Sequence, residues 1–357
     1  MGRKPFVRNK RMAAADGRLD MKQEWTGRKF EIRTDLALEQ REAAEKKAGR
    51  LPGVSMRQWE PGQKELKITE VKVLGPEGAK ALGKPEGSYI TLEADRLSEG
   101  DEDYHREIAG ELAVQIRRLV GESLGEKKTG DLSVLVVGLG NQQVTPDALG
   151  PRVAGNLQVT RHLEIEAEDK KNRMGQKKWE IPSISAIAPG VMAQTGMETA
   201  EIIGGIVSQI QPDLILAIDA LAARSVRRLG TTIQLTDTGI QPGSGVGNHR
   251  RGLTRESLGI PVLAIGVPTV VGAAAIVQDT VSAVVKVLGE NEGTRGTGAW
   301  IQEMDQEEQY QLIRELLEPE FGPLYVTPPD IDRSVKQLSF TISEGIHQAF
   351  LPPDFWS

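Results

Sequence analysis

Leu132-Ser133-Val134-Leu135-Val136-Val137-Gly138-Leu139-Gly140-Asn141 is the stretch whose reading decides the fold. Its aliphatic and β-branched residues are consecutive rather than alternating, the pattern of a strand covered on both faces, and it stops in a glycine-rich turn. Similar runs lie at Ser183–Ala188, Leu214–Ile218, Thr231–Leu235 and Val262–Val267, with helical spacing at Met197–Ile210 and Val270–Leu288 between them. Strands alternating with helices predict an α/β fold: a mainly parallel sheet flanked by helices, with its core over about 131–289.

Outward from this core, Leu66–Leu74 and Ser88–Ala94 alternate like half-buried strands, and Glu102–Val120 carries apolar residues at helical spacing. Residues 1 to about 60 are polar and irregular except for a helix expected over Leu36–Ala48. Past Gly289 the chain predicts a helical extension over about 300–357, with helices at Gln302–Leu317 and Asp330–Phe350. Glu164–Glu180 and the glycine-rich Thr236–Gly252 are expected to be loops.

The chain has 357 residues, a formal charge of -6 and no cysteine. The charge gives no global attraction to nucleic acid or an anionic membrane, so neither is expected as a partner. The lack of cysteine removes disulfides, thiolate metal sites and a thiol nucleophile together, and fits a cytoplasmic location. Even the most apolar segment, Pro261–Leu288, is interrupted by Gly266, Pro268, Gly272, Gln278 and Asp279, so no membrane span is expected. The basic first thirty residues lack the apolar run of a secretory signal and read as a removable arm.

The glycine turn invites comparison with a dinucleotide-binding motif. The third glycine of that motif falls on Gln143, and Pro146 disturbs the helix start that a pyrophosphate needs. Behind the turn comes Asp147, in Thr145-Pro146-Asp147-Ala148-Leu149-Gly150-Pro151, where capping a helix is the simpler role. A second aspartate ends the run Leu214-Ile215-Leu216-Ala217-Ile218-Asp219. Two aspartates at carboxyl ends of strands in one parallel sheet can face one crevice. There they can divide into base and acid, or share a divalent metal. Arg224 can neutralise such a pair or orient a carbonyl. Asp237, Ser244 and His249 are the residue types of a serine protease triad, but no G-x-S-x-G turn surrounds Ser244. The four histidines are scattered and form no zinc motif.

Taken together, Val137–Asn141, Thr145–Pro151, Ala217–Arg224, Thr236–Asn248 and Gly266–Val271, with Ile32–Glu39 near the start, closely resemble the spore germination endopeptidase family. The resemblance implies an aspartic-type endopeptidase that begins degradation of the small acid-soluble proteins coating spore DNA, in the spore core. It also implies a fold like that of hydrogenase maturation endopeptidases, with added N- and C-terminal elements, and a homotetramer made as a self-processing zymogen. On this reading Asp147 and Asp219 are the catalytic pair. Gly138, Gly140, Asn141, Arg224, Gly243, Ser244 and Gly245 form the oxyanion or substrate loops. The propeptide is residues 1–35, cut between Asp35 and Leu36, which leaves a protease domain of 36–357. No cofactor is expected. Gly272, after Val270-Val271, stands where the resemblance leads one to expect an acidic side chain. Two alternatives stay open: a metal-linked peptidase of the hydrogenase maturation kind, and a nucleotide- or phosphate-binding protein using the amides of Gly138–Asn141 and Gly243–Asn248 as an anion nest.

Overall fold

The computed structural model describes residues 34–62, 65–98, 101–125, 127–163, 165, 181–243, 250–290, 304 and 306–355. The run at 132–137 forms strand β4 (Ser133–Gly138). Val134 and Val136 pack against the helices on one face of the sheet, Leu135 and Val137 against those on the other. That two-sided burial is why the run is unbroken.

Among the described residues nine strands make one sheet: β1 (Val54–Trp59), β2 (Leu66–Val73), β3 (Gly87–Ala94), β4, β5 (Ser183–Ile187), β6 (Leu214–Ala223), β7 (Thr232–Thr236), β8 (Val262–Gly272) and β9 (Tyr325–Val326). The spatial order is β1-β2-β3-β7-β8-β6-β4-β5, with β9 added to the end of β8. The pairs β4–β5, β4–β6 and β6–β8 are parallel, as expected of the core. The expectation of a mainly parallel sheet is nevertheless corrected to a mixed one, because β1–β2, β2–β3, β3–β7, β7–β8 and β8–β9 are antiparallel. The connection from β6 to β7 is too short for a helical crossover, so β7 returns antiparallel and gives the N-terminal meander β1–β3 a place to join. The sheet therefore begins at Val54, well before residue 131.

Helix α1 spans Ala37–Ala48, α2 Gly75–Leu82 and α3 Glu102–Leu124, whose N-cap Asp101 accepts from the Tyr104 amide at 2.8 Å. They are followed by α4 (Leu149–Asn156), α5 (Met192–Thr195), α6 (Thr199–Ile210), α7 (Arg255–Leu258), α8 (Ala273–Glu290), α9 (Gln306–Phe321) and α10 (Ile331–Phe350). One face of the sheet is covered by α3, α4 and α10, the other by α6. Smaller clusters seat α1 and α2 beside β2 and β3, and α8 and α9 beside the far ends of β6 and β8.

Two strand boundaries differ from the sequence reading, and the helix expected to end at Leu317 runs on to Phe321. Val270 to Gly272 remain in β8 rather than opening a helix, because Val270 and Val271 still pair with Ala222 and Ala223. Strand β6 does not stop at Asp219 but continues to Ala223, with a register shift between Leu221 and Ala222. Most of Glu164–Glu180, and Ser244–His249 within the glycine-rich loop, lie outside the described residues.

Candidate active site

The end of β4 opens the site. Pairing between β4 and β6 runs out at Gly138 and Ile218, while β6 goes on alongside β8. Asp219 is the first residue of β6 with no β4 partner, and it lines the cavity that opens beyond the end of the shorter strand. Asp147 reaches the same gap from a single 3-10 turn, Thr145–Asp147, between β4 and α4.

Glycines bring these pieces together. A Cβ on Gly138 would collide with the Gly150 carbonyl, and one on Gly150 would collide with the carbonyls of Leu139 and Ile218. Helix α4 thus begins in backbone contact with both strands. Gly140, at φ 113°, turns the chain back so that the Asn141 amide donates to Asp147 Oδ2 at 2.7 Å. The Leu139 amide donates to the Ile218 carbonyl at 2.8 Å. Two of the amides expected to form an oxyanion or phosphate nest are therefore already engaged within the protein.

A cavity of about 490 Å³ is lined by Asp147, Asp219, Gly140, Gly243, Arg250, Thr269 and Asp35, among others. Asp219 is 5% exposed, and its Oδ1 accepts from the Ala220 amide at 2.9 Å. Burial, and then the negative charges of Asp147 and Asp35, push its carboxyl well above the usual range; the Ala220 amide and Arg250 oppose this without cancelling it. Asp147 is also pushed up by burial, against the Asn141 amide and the Arg250 guanidinium, both of which favour its ionised form.

Other expected residues fall elsewhere. Arg224 does not line the cavity; its backbone amide donates to Glu39 Oε2 at 2.8 Å. The arginine beside the carboxylates is Arg250, which the sequence reading passed over. Its only local signal is its place near the end of the glycine-rich loop. Asp237 accepts from the Ser88 amide at 2.8 Å, at the start of β3, and is not among the lining residues. Ser244, Gly245 and His249 lie outside the described residues.

The expected cleavage bond stands at the cavity rather than in a loose polar tail, because Asp35 and Leu36 are fastened on every side. The Asp35 amide donates to the Ala222 carbonyl at 3.0 Å, and the Ala222 amide returns a bond to Asp35 Oδ2 at 2.9 Å. The Asp35 carbonyl accepts from Lys84 Nζ at 2.9 Å and from Gln234 Nε2 at 3.2 Å. Gln234 Oε1 in turn accepts from the Ala37 amide at 2.7 Å. The Leu36 side chain is fully buried among Leu221, Ala223, Leu229, Val271, Tyr310 and Ile313. Leu36 is extended, and α1 starts one residue later. Glu39, also missed by the sequence reading, pins that first turn. It accepts from the amides of Arg224 and of Ser225 (3.0 Å), pairs with Arg228 Nε at 3.6 Å and bonds the Thr34 hydroxyl.

Among the described residues no group of three or more His, Cys, Asp or Glu is arranged to hold a metal ion, and no helix is long and apolar enough to cross a membrane. A family model described as germination protease matches residues 31–298. A germination protease of Caldanaerobacter subterraneus subsp. tengcongensis is 50% identical over 322 residues, covering 90% of this chain and 94% of that protein. Those of Clostridium tetani and Bacillus subtilis are 42% and 39% identical, covering 90% and 89% of this chain and 96% and 93% of their own lengths.

Proposed function

The chain belongs to the germination protease family and is an endopeptidase of spore germination, and from that premise we propose how it works, on what, and in which form. Water is the nucleophile, and Asp147 and Asp219 divide the acid and base roles. The observation that carries this is one cavity lined by two carboxylates whose surroundings differ. Asp147, with an amide donor on Oδ2 and Arg250 nearby, is the ionised base that takes a proton from water. Asp219, held protonated by burial and by its neighbours' charges, is the acid that protonates the leaving nitrogen.

No cofactor is needed in this mechanism. A divalent cation shared by the pair would meet the positive charge of Arg250, which already counters both carboxylates. Activity retained after exhaustive chelation is the expected result, and loss restored by one added metal would replace this reading with the metal-linked one.

The substrates are the small acid-soluble proteins of the spore, met in the spore core. The enzyme is made as a zymogen that removes residues 1–35 itself, cutting between Asp35 and Leu36. Support comes from the docking of that bond at the carboxylate cavity. Incubating the precursor and sequencing new N-termini tests it: a start at Leu36 in the wild type, absent from Asp219→Asn, is expected. Ragged termini, or cutting that persists in Asp219→Asn, would reject self-processing. Adding a purified small acid-soluble protein and mapping its fragments by mass spectrometry tests the substrate, and an intact substrate would reject it.

We also propose a homotetramer, with its contacts at α9 and β9 rather than at α10. The apolar face of α10 is spent on the core, with Val335, Leu338, Ile342 and Ile346 fully buried, and leaves only Phe340 of its large apolar side chains exposed, at 60%. By contrast Leu316, Phe321 and Leu324 are 67%, 63% and 50% exposed, an apolar surface of the kind that associates. The chain shares its fold, on this proposal, with hydrogenase maturation endopeptidases, where a parallel strand group carries the site.

A further inference from the structure

Two side chains donate to the Asp35 carbonyl, and one of them is a lysine. A backbone carbonyl needs one donor to be satisfied, and a neutral amide normally supplies it. Here Lys84 Nζ and Gln234 Nε2 both point at one oxygen, at 2.9 and 3.2 Å. Helix α1 is tied independently to β6 through Asp35 and Ala222 and to the following loop through Glu39. Lys84 follows Gly83, which ends α2 in the left-handed conformation and turns the chain toward Asp35. Gln234 projects from β7 and grips both sides of Leu36, through the Asp35 carbonyl and the Ala37 amide.

We propose that Lys84 and Gln234 are the oxyanion-stabilising pair for cleavage of the Asp35–Leu36 bond. The inference rests on the self-processing reading above and adds the groups that polarise the bond. Water adds to the Asp35 carbonyl carbon, passing a proton to the Asp147 carboxylate, while the C=O π electrons move onto the carbonyl oxygen. That oxygen becomes an alkoxide against the Lys84 ammonium and the Gln234 amide. As it re-forms the carbonyl, the C–N bond breaks and the Leu36 nitrogen takes the proton of Asp219. The products are a carboxyl terminus at Asp35 and an amino terminus at Leu36, with one water consumed. A cation at 2.9 Å from the oxygen binds the intermediate far better than the ground state, because the negative charge exists only in the former. The burial that lowers the Lys84 pKa also keeps solvent from screening that contact, and the Asp35 charge helps to hold its proton.

The test is the first-order rate at which purified precursor yields a chain starting at Leu36, measured for wild type, Lys84→Met, Lys84→Arg and Gln234→Glu, with melting temperatures alongside. Loss of one oxyanion donor costs roughly 100- to 1,000-fold in rate, so Lys84→Met should slow cleavage by that much without a large change in melting temperature. Lys84→Arg, which disturbs packing more but keeps a cationic donor, should be faster than Lys84→Met. A merely structural lysine would give the reverse order. Gln234→Glu keeps the acceptor for Ala37 and loses the donor to Asp35, so it carries the test if the lysine variants do not fold, and slower cleavage by at least about tenfold is expected. Wild type cut at Leu36 with variants cut equally fast or faster overturns this assignment and leaves self-processing intact. A wild-type precursor not cut at this bond overturns the self-processing reading, and the assignment with it.

Discussion

The two halves of the sheet divide the labour. The half formed by β5, β4, β6 and β8 is parallel, and its carboxyl ends hold Asp147, Asp219 and the cavity. The half formed by β1, β2, β3 and β7 is antiparallel, holds neither carboxylate, and contributes Gln234 and, between α2 and β3, Lys84. Parallel strands end together on one side, where ligands meet them, so chemistry collects there. Antiparallel strands offer a flank on which a segment such as Asp35–Ala37 can be laid down. On the proposed mechanism the parallel half supplies the acid and the base, and the antiparallel half holds the bond and polarises its carbonyl.

The largest effect expected of that division is on rate. Asp147→Asn or Asp219→Asn should each lower cleavage by roughly 1,000-fold or more, since an amide keeps the shape but can neither accept nor supply the proton. Near-normal turnover in either variant would remove that residue from the chemistry. The docking of α1 onto the loop after β6 is tested by Glu39→Ala, which strands the amides of Arg224 and Ser225. Each buried donor left unpaired costs about 1–3 kcal/mol, so a loss of about 2–6 kcal/mol in urea unfolding is expected for the two. A loss near zero would mean that α1 is docked by apolar contacts alone.

The smallest effect sharpens the comparison within the parallel half. The Asp219 carboxyl is raised well above its ordinary value in the folded protein, so the native state holds a proton that the unfolded chain releases more readily. Below the ordinary carboxylate range both states are protonated and the buried group carries no penalty. As pH rises from the ordinary carboxylate range toward the raised value, the unfolded chain gives up its proton first and the penalty grows, to its full size above the raised value. Asp219→Asn should therefore melt above the wild type at neutral pH and together with it in acid. Arg250→Gln removes the charge that lowers both carboxyls, so the acid limb of the rate profile, set by Asp147, should move to higher pH. An unmoved limb would separate Arg250 from the pair.

Much of this was legible in the sequence, and what was missed has a common cause. The strand at 133–138, the helices at 37–48 and 331–350 and the candidate carboxylates all announce themselves locally, by unbroken apolar runs, by 3.6-residue spacing and by position after a strand. The antiparallel half did not, because β-strand runs carry no mark of direction, and the return of β7 depends on the length of one connection. Asp219 reads as a strand end because the apolar pattern weakens there; only the pairing with β8 shows that β6 continues to Ala223. Arg250, Glu39, Lys84 and Gln234 are far apart in the chain, and nothing in a local window relates Lys84 to Asp35 or Glu39 to Ser225.

The contact between Gly138 and Gly150 has a consequence for any survey of single substitutions in this enzyme. Neither residue has a side chain to offer a substrate, yet even alanine at either one would force α4 off the ends of β4 and β6. Because α4 follows directly on the turn that carries Asp147, that displacement changes the spacing between the two carboxylates. Scored only by activity, both positions would look as intolerant as the aspartates themselves, and a map of sensitive sites would draw the catalytic centre too large. Scoring abundance beside activity would separate the two kinds: alanine at the glycines should lower both, whereas asparagine at the aspartates should lower activity alone.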